Sequence, residues 1–140
     1  MKTLYSAQAT AIGGRNGQAA TADGAFRAKL TEPKALGGPG GDGVNPEQLF
    51  ATGYAACFLN ALKLIASKDE IDLGDAANVT ATVGIGEREQ GDGFGLQVSI
   101  AVDLPGVSCD VARRLVAEAQ NVCPYSHIAS AGYDLNLSVV

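Results

Sequence analysis

The chain has 140 residues, 46% hydrophobic and only 18% charged, which is enough apolar material for one folded domain with a core. A formal charge of −5 speaks against nucleic acid as a partner, because phosphate binding needs concentrated Lys and Arg. Three widely spaced cysteines and one histidine fit neither a secreted disulfide framework nor a structural zinc site, so no metal is expected.

Residues 2–12 alternate partially between apolar and small polar side chains, which predicts a strand. The same stretch is too polar for the core of a signal peptide, and a cytoplasmic location is expected. Gly13-Gly14-Arg15-Asn16-Gly17 reads as a hairpin turn, since Gly and Asn tolerate positive φ, and it carries Arg15 at its tip. The return strand covers 18–21, and 26–30 alternates as another. Pro33 to Gly43 is a glycine-rich loop.

Residues 45–67 are the stretch around which the chain is organised. Asn45 can cap a helix, Pro46 suits the first helical position, and Glu47 places negative charge at the positive end of the dipole. From Leu49 onward the stretch is apolar nearly all round, and such a helix belongs in a core rather than on a surface or in a membrane. Cys57 lies in its middle. Gly53, one turn earlier, costs about 1 kcal/mol in a helix interior and implies close approach by another group.

Beyond a polar, turn-rich segment, residues 79–87 and 94–103 read as strands joined by the Gln90-Gly91-Asp92-Gly93 hairpin. Ser108 can cap a second helix that ends at Cys123-Pro124, because proline disfavours helical geometry in the residue before it. Residues 133–140 alternate as a last strand. The expected order is β-β-β-α-β-β-α-β: an α+β domain over 1–140, with an antiparallel sheet packed against two main helices.

Cys57 and Cys123 together suggest redox chemistry, in which one thiolate is oxidised and a second thiol traps the product. A cysteine in mid-helix gets no help from a helix terminus, so Cys57 needs a cation to act as thiolate. Arg15 is a candidate guanidinium for this, and Glu47 is an available carboxylate to hold it. Phe50, Tyr54, Phe58 and Tyr125 are candidate walls of an apolar pocket. Cys109 has no evident partner. His127 leaves open a Cys-His hydrolase, in which it would act as base. A non-catalytic dimeric binding module is a third class.

Four motifs resemble the organic hydroperoxide resistance (Ohr) proteins, thiol peroxidases of the OsmC-like superfamily. They are Gly-Gly-Arg-Asn-Gly at 13–17, Asn-Pro-Glu-Gln-Leu-Phe-Ala at 45–51, Gly-Tyr-Ala-Ala-Cys-Phe at 53–58 and Val-Cys-Pro-Tyr-Ser at 122–126. The resemblance covers essentially the whole chain. It departs at Gln120, where the family often has His, and at Gly132-Tyr133-Asp134. It implies that Cys57 is the peroxidatic thiol, Cys123 the resolving thiol, Arg15 the activating cation and Glu47 its partner. It further implies an intertwined homodimer with no bound cofactor, recycled by an external dithiol such as dihydrolipoamide on lipoylated proteins. A general OsmC-like protein with another peroxide preference or a redox-sensing role is the nearest alternative.

One geometric expectation follows from the central helix. Glu47 and Cys57 are ten residues apart, about 15 Å along a straight helix and some 80° apart around it. One guanidinium cannot serve both. Either the helix breaks near Gly53, or Cys57 of one subunit meets Glu47 of the other, which is the favoured reading.

Overall fold

The computed structural model describes residues 1–131. The chain forms two compact units, Met1–Phe50 and Ala51–Val140.

In the first unit, β1 (Ala9–Ile12), β2 (Gln18–Thr21) and β3 (Arg27–Lys29) make an antiparallel sheet in the order β1-β2-β3. The β1–β2 register runs from Ala9 opposite Thr21 to Ile12 opposite Gln18. The predicted turn therefore closes where expected, around a single 3-10 turn at Gly14–Asn16. Gly13 and Gly14 take φ of 78° and 58°, and a Cβ on Gly17 would lie 1.8 Å from the Ile12 carbonyl oxygen. Only glycine fits at position 17. The first strand is shorter than predicted, because residues 2–8 form no regular element. A lone parallel bridge pairs Leu30 with Val44 and brings the chain to the start of the central helix.

That helix, α1, spans Pro46–Lys68 without a break. Its start is a reciprocal cap: Gln48 N–H donates to Asn45 Oδ1 and Asn45 N–H to Gln48 Oε1, both at 2.9 Å. By length and composition α1 could cross a membrane, yet Tyr54, Phe58, Ala61, Leu62, Ile65 and Ala66 are buried within the protein.

The second unit continues with β4 (Asn78–Glu87) and β5 (Phe94–Asp103), paired antiparallel through all ten positions from Asn78 opposite Asp103 to Glu87 opposite Phe94. One face of the pair alternates half-buried against exposed, as a sheet covered on one side should. Next comes α2 (Cys109–Val122), with Ser108 extended at the cap position but making no side-chain cap bond. Leu115 and Ala119 are fully buried on its inner face.

The expectation of two main helices is corrected by a third, α3 (Pro124–Ala131). Pro124 ends α2 and also begins α3, because the first helical position needs no N–H and suits proline's fixed φ. Cys123 is the joint. Its N–H donates to Ala119 O at the end of α2, and its carbonyl accepts His127 N–H in the first turn of α3. The single expected sheet is also corrected: among the described residues there are two separate sheets, one in each unit. The strand predicted at 133–140 lies outside the described residues.

Candidate active site

In the first unit, the hairpin turn and the start of α1 hold an ion pair. The Arg15 guanidinium donates to the Glu47 carboxylate through both ends of its fork, Nη1 to Oε2 at 2.9 Å and Nη2 to Oε1 at 2.6 Å. Bidentate pairing fixes direction as well as distance, which a lysine could not do. The hydrogen bond from Arg15 holds the Glu47 carboxyl below its ordinary 4.5, and Glu47 in turn raises Arg15. Because folding depresses the Glu47 pKa, its stabilising contribution is complete above about pH 4.5 and is lost as pH falls through the folded value. Glu47→Gln should therefore be less stable than the parent at pH 7, by about 1 kcal/mol for a half-exposed pair. The two proteins should converge as the pH is lowered to 3 in urea titrations. A constant difference across that range would remove Glu47 ionisation from the account.

In the second unit, Cys57 and Cys123 are both free thiols with their sulfurs 3.6 Å apart. Cys57 is half-buried on α1, whereas Cys123 is fully buried at the α2–α3 joint. Cys109 is exposed at the first position of α2. Burial pushes the Cys57 thiol above its ordinary 9.0, the backbone N–H of Tyr125 pulls it back, and the nearby Cys123 raises it further. The Tyr125 N–H revises the expectation that no helix terminus assists Cys57. The end that helps belongs to α3, whose first-turn N–H groups have no partner inside the helix. His127 is exposed on α3, and none of the groups acting on the Cys57 thiol is an imidazole.

Tyr54 and Tyr125, two of the predicted walls, pack on each other with ring centroids 5.6 Å apart, tilted by 52°. Gly53 makes this possible: a Cβ there would meet the Tyr125 hydroxyl oxygen at 2.8 Å. Tyr54 and Phe58 line a cleft of about 360 Å³ with Val98 and Ile100 of β5, Val116 and Gln120 of α2, and Ser126, Ala129 and Ser130 of α3. Phe50 is half-buried on the part of α1 that belongs to the first unit. In the sequence, Gln120 stands out only as a departure from the family pattern. Its position four residues after Val116, on the same helical face, was the available sign that it joins the cleft wall. Among the described residues, no three His, Cys, Asp or Glu side chains converge as a metal-ligand set would.

Sequence and fold comparisons with known proteins agree with one another. The family model for OsmC-like proteins matches residues 38–138. An organic hydroperoxide resistance protein of Xanthomonas axonopodis pv. citri is 46% identical over 138 residues, covering 99% of this chain and 96% of its own. The crystal structure of an organic hydroperoxide resistance protein from Legionella pneumophila superposes with a TM-score of 0.86 at 40% identity, over 94% of this chain and 93% of that one. One from Vibrio cholerae, described with captopril bound in one of its active sites, gives 0.85 at 46% identity over 94% and 88%. With its thiol pair on the central helix and the α2–α3 joint, the chain belongs to the organic hydroperoxide resistance proteins of the OsmC-like superfamily, a family of cysteine-based peroxidases.

Proposed function

We propose that this chain reduces organic hydroperoxides (alkyl, aryl and fatty-acid) to alcohols, with Cys57 as the peroxidatic thiol and Cys123 as the resolving thiol. The observation that carries this reading is the sulfur pair: two reduced thiols 3.6 Å apart, one reachable and one buried. The Cys57 thiolate attacks the outer peroxide oxygen, the O–O bond breaks, and the alkoxide leaves as alcohol after taking a proton. Cys57 is left as a sulfenic acid. The Cys123 thiolate displaces its hydroxyl as water, forming the Cys57–Cys123 disulfide. A dithiol such as dihydrolipoamide on a lipoylated protein then restores both thiols by exchange, and no bound cofactor enters. The family match crosses the boundary between the two units, which supports one functional domain over 1–140. A thiol pair that must be returned to its reduced form after each turnover suits a reducing compartment, and we place the protein in the cytoplasm.

Cys57, pushed towards its neutral form by burial, needs a cation. The unbroken α1 removes the alternative of a helix break at Gly53. Ten residues of helix, about 15 Å, separate Glu47 from Cys57. The Arg15–Glu47 pair of one subunit therefore serves Cys57 of the other, in an intertwined homodimer with two sites. Exposed Leu4, Tyr5, Ile12 and Leu64, the last 51% accessible on an otherwise apolar helix, support a covering second copy. The description of captopril in one of several active sites of the Vibrio cholerae protein fits an assembly with more than one site.

The test of function is peroxide consumption with dithiothreitol or dihydrolipoamide as reductant. Hydrocarbon buried against Tyr54, Phe58, Val98, Ile100 and Val116 of the cleft gains about 25 cal/mol per Å², and hydrogen peroxide has none to bury. Burying some 100 Å² of a cumyl group would favour cumene hydroperoxide by roughly fiftyfold or more in kcat/KM. Equal efficiency towards hydrogen peroxide would refute the organic preference.

A further inference from the structure

Tyr54 precedes Cys57 by three residues on α1, and Ser126 follows Cys123 by three residues across the start of α3. Three residues is close to one helical turn, so each pair lies on one side of its element. The two elements are joined at both levels. Cys57 and Cys123 meet at 3.6 Å, and one turn away Tyr54 Oη donates to Ser126 Oγ at 3.0 Å. This second link is buried at both ends: Tyr54 is 6% exposed and Ser126 5%. Ser126 is the one buried polar residue among the described residues, and a hydroxyl in that position demands a partner.

We propose that the Tyr54–Ser126 hydrogen bond positions the resolving step, holding the first turn of α3 in register with α1 so that Cys123 stays within reach of oxidised Cys57. The inference rests on the peroxidase reading above. Once Cys57 is a sulfenic acid, two reactions compete for it. In one, the Cys123 thiolate attacks the Cys57 sulfur, the S–S bond forms, the S–O bond breaks, and hydroxide leaves with the proton from Cys123 as water. In the other, a second hydroperoxide transfers oxygen to the same sulfur, giving a sulfinic acid and another alcohol. The first needs the sulfurs to close to about 2.05 Å, so a small slip of α3 favours the second. This role requires no contact of Tyr54 or Ser126 with either reacting sulfur. They are positioning residues, acting through the joint at Cys123.

The test uses full-length protein, graded cumene hydroperoxide and mass spectrometry of quenched samples. The readout is the peroxide concentration at which sulfinic acid and disulfide form equally, the ratio of resolution to over-oxidation. Tyr54→Phe and Ser126→Ala should each lower that concentration about tenfold, the scale of one net hydrogen bond. The double variant should fall no further than either single one, and Ser126→Thr, which keeps the hydroxyl, should recover most of the loss. An unchanged ratio in both single variants, additive losses in the double variant, or no recovery in the Thr variant would overturn the clamp. Failure of the parent protein to form the Cys57–Cys123 disulfide would instead overturn the peroxidase reading itself.

Discussion

Cys57→Ser should abolish hydroperoxide consumption, while Cys123→Ser should complete one oxidation and then stall. The two effects differ because the two sulfurs are placed differently. Cys57 is the half-buried one, open enough for a peroxide oxygen to reach, and a serine hydroxyl is far too weakly acidic to replace its thiolate. A loss of roughly a thousandfold or more in kcat/KM is expected. Cys123 is fully buried and meets only what is already inside the fold, which includes the Cys57 sulfur. Without it, the first equivalent of peroxide is consumed at a near-normal rate and Cys57 accumulates as sulfenic, then sulfinic, acid. Rapid-mixing kinetics with mass spectrometry separates the cases. Equal loss of the first oxidation in both variants would sink the assignment of roles.

Mixed dimers of Cys57→Ser and Glu47→Ala subunits should recover activity that neither variant has alone. In a symmetric dimer whose sites combine Cys57 of one subunit with the Arg15–Glu47 pair of the other, each heterodimer contains one intact site and one doubly damaged site. Random exchange makes about half of the dimers mixed, so specific activity should return to about a quarter of the parent value. The parents are inactive for different reasons. One lacks the sulfur; the other leaves Arg15 without the carboxylate that directs its fork. No recovery in heterodimers verified by native mass spectrometry would place the whole site within one subunit.

Much of this was legible in the residues. The Asn45–Gln48 cap, the Gly13–Gly17 turn and the 90–93 hairpin are local structures whose side chains or glycines carry the geometry with them. The Arg15–Glu47 pair spans 32 residues; charge made its members candidates, and the family motifs around them gave the pairing. Three features were hidden. The helix α3 is eight residues long, too short for a clear hydrophobic period, and its first residue is the proline that ends α2. The Tyr125 N–H beside Cys57 is a backbone group, which no residue type announces. The third is the hydrogen bond between Tyr54 and Ser126, which are 72 residues apart and become partners only when α3 folds back on α1. Tyr54 was legible as an aromatic wall, but nothing local says where its hydroxyl goes.

The distance in sequence between the two thiols has its own consequence. Cys57 and Cys123 are separated by 66 residues, so the proposed disulfide would tie nearly half the chain into a covalent ring. Closing a ring of that size removes unfolded-state entropy worth about 4 kcal/mol in the chain-entropy account. Each turn of the proposed cycle would therefore alternate between a linear polymer and a looped one. The looped form, waiting for its reductant under oxidative conditions, is the one least able to unravel.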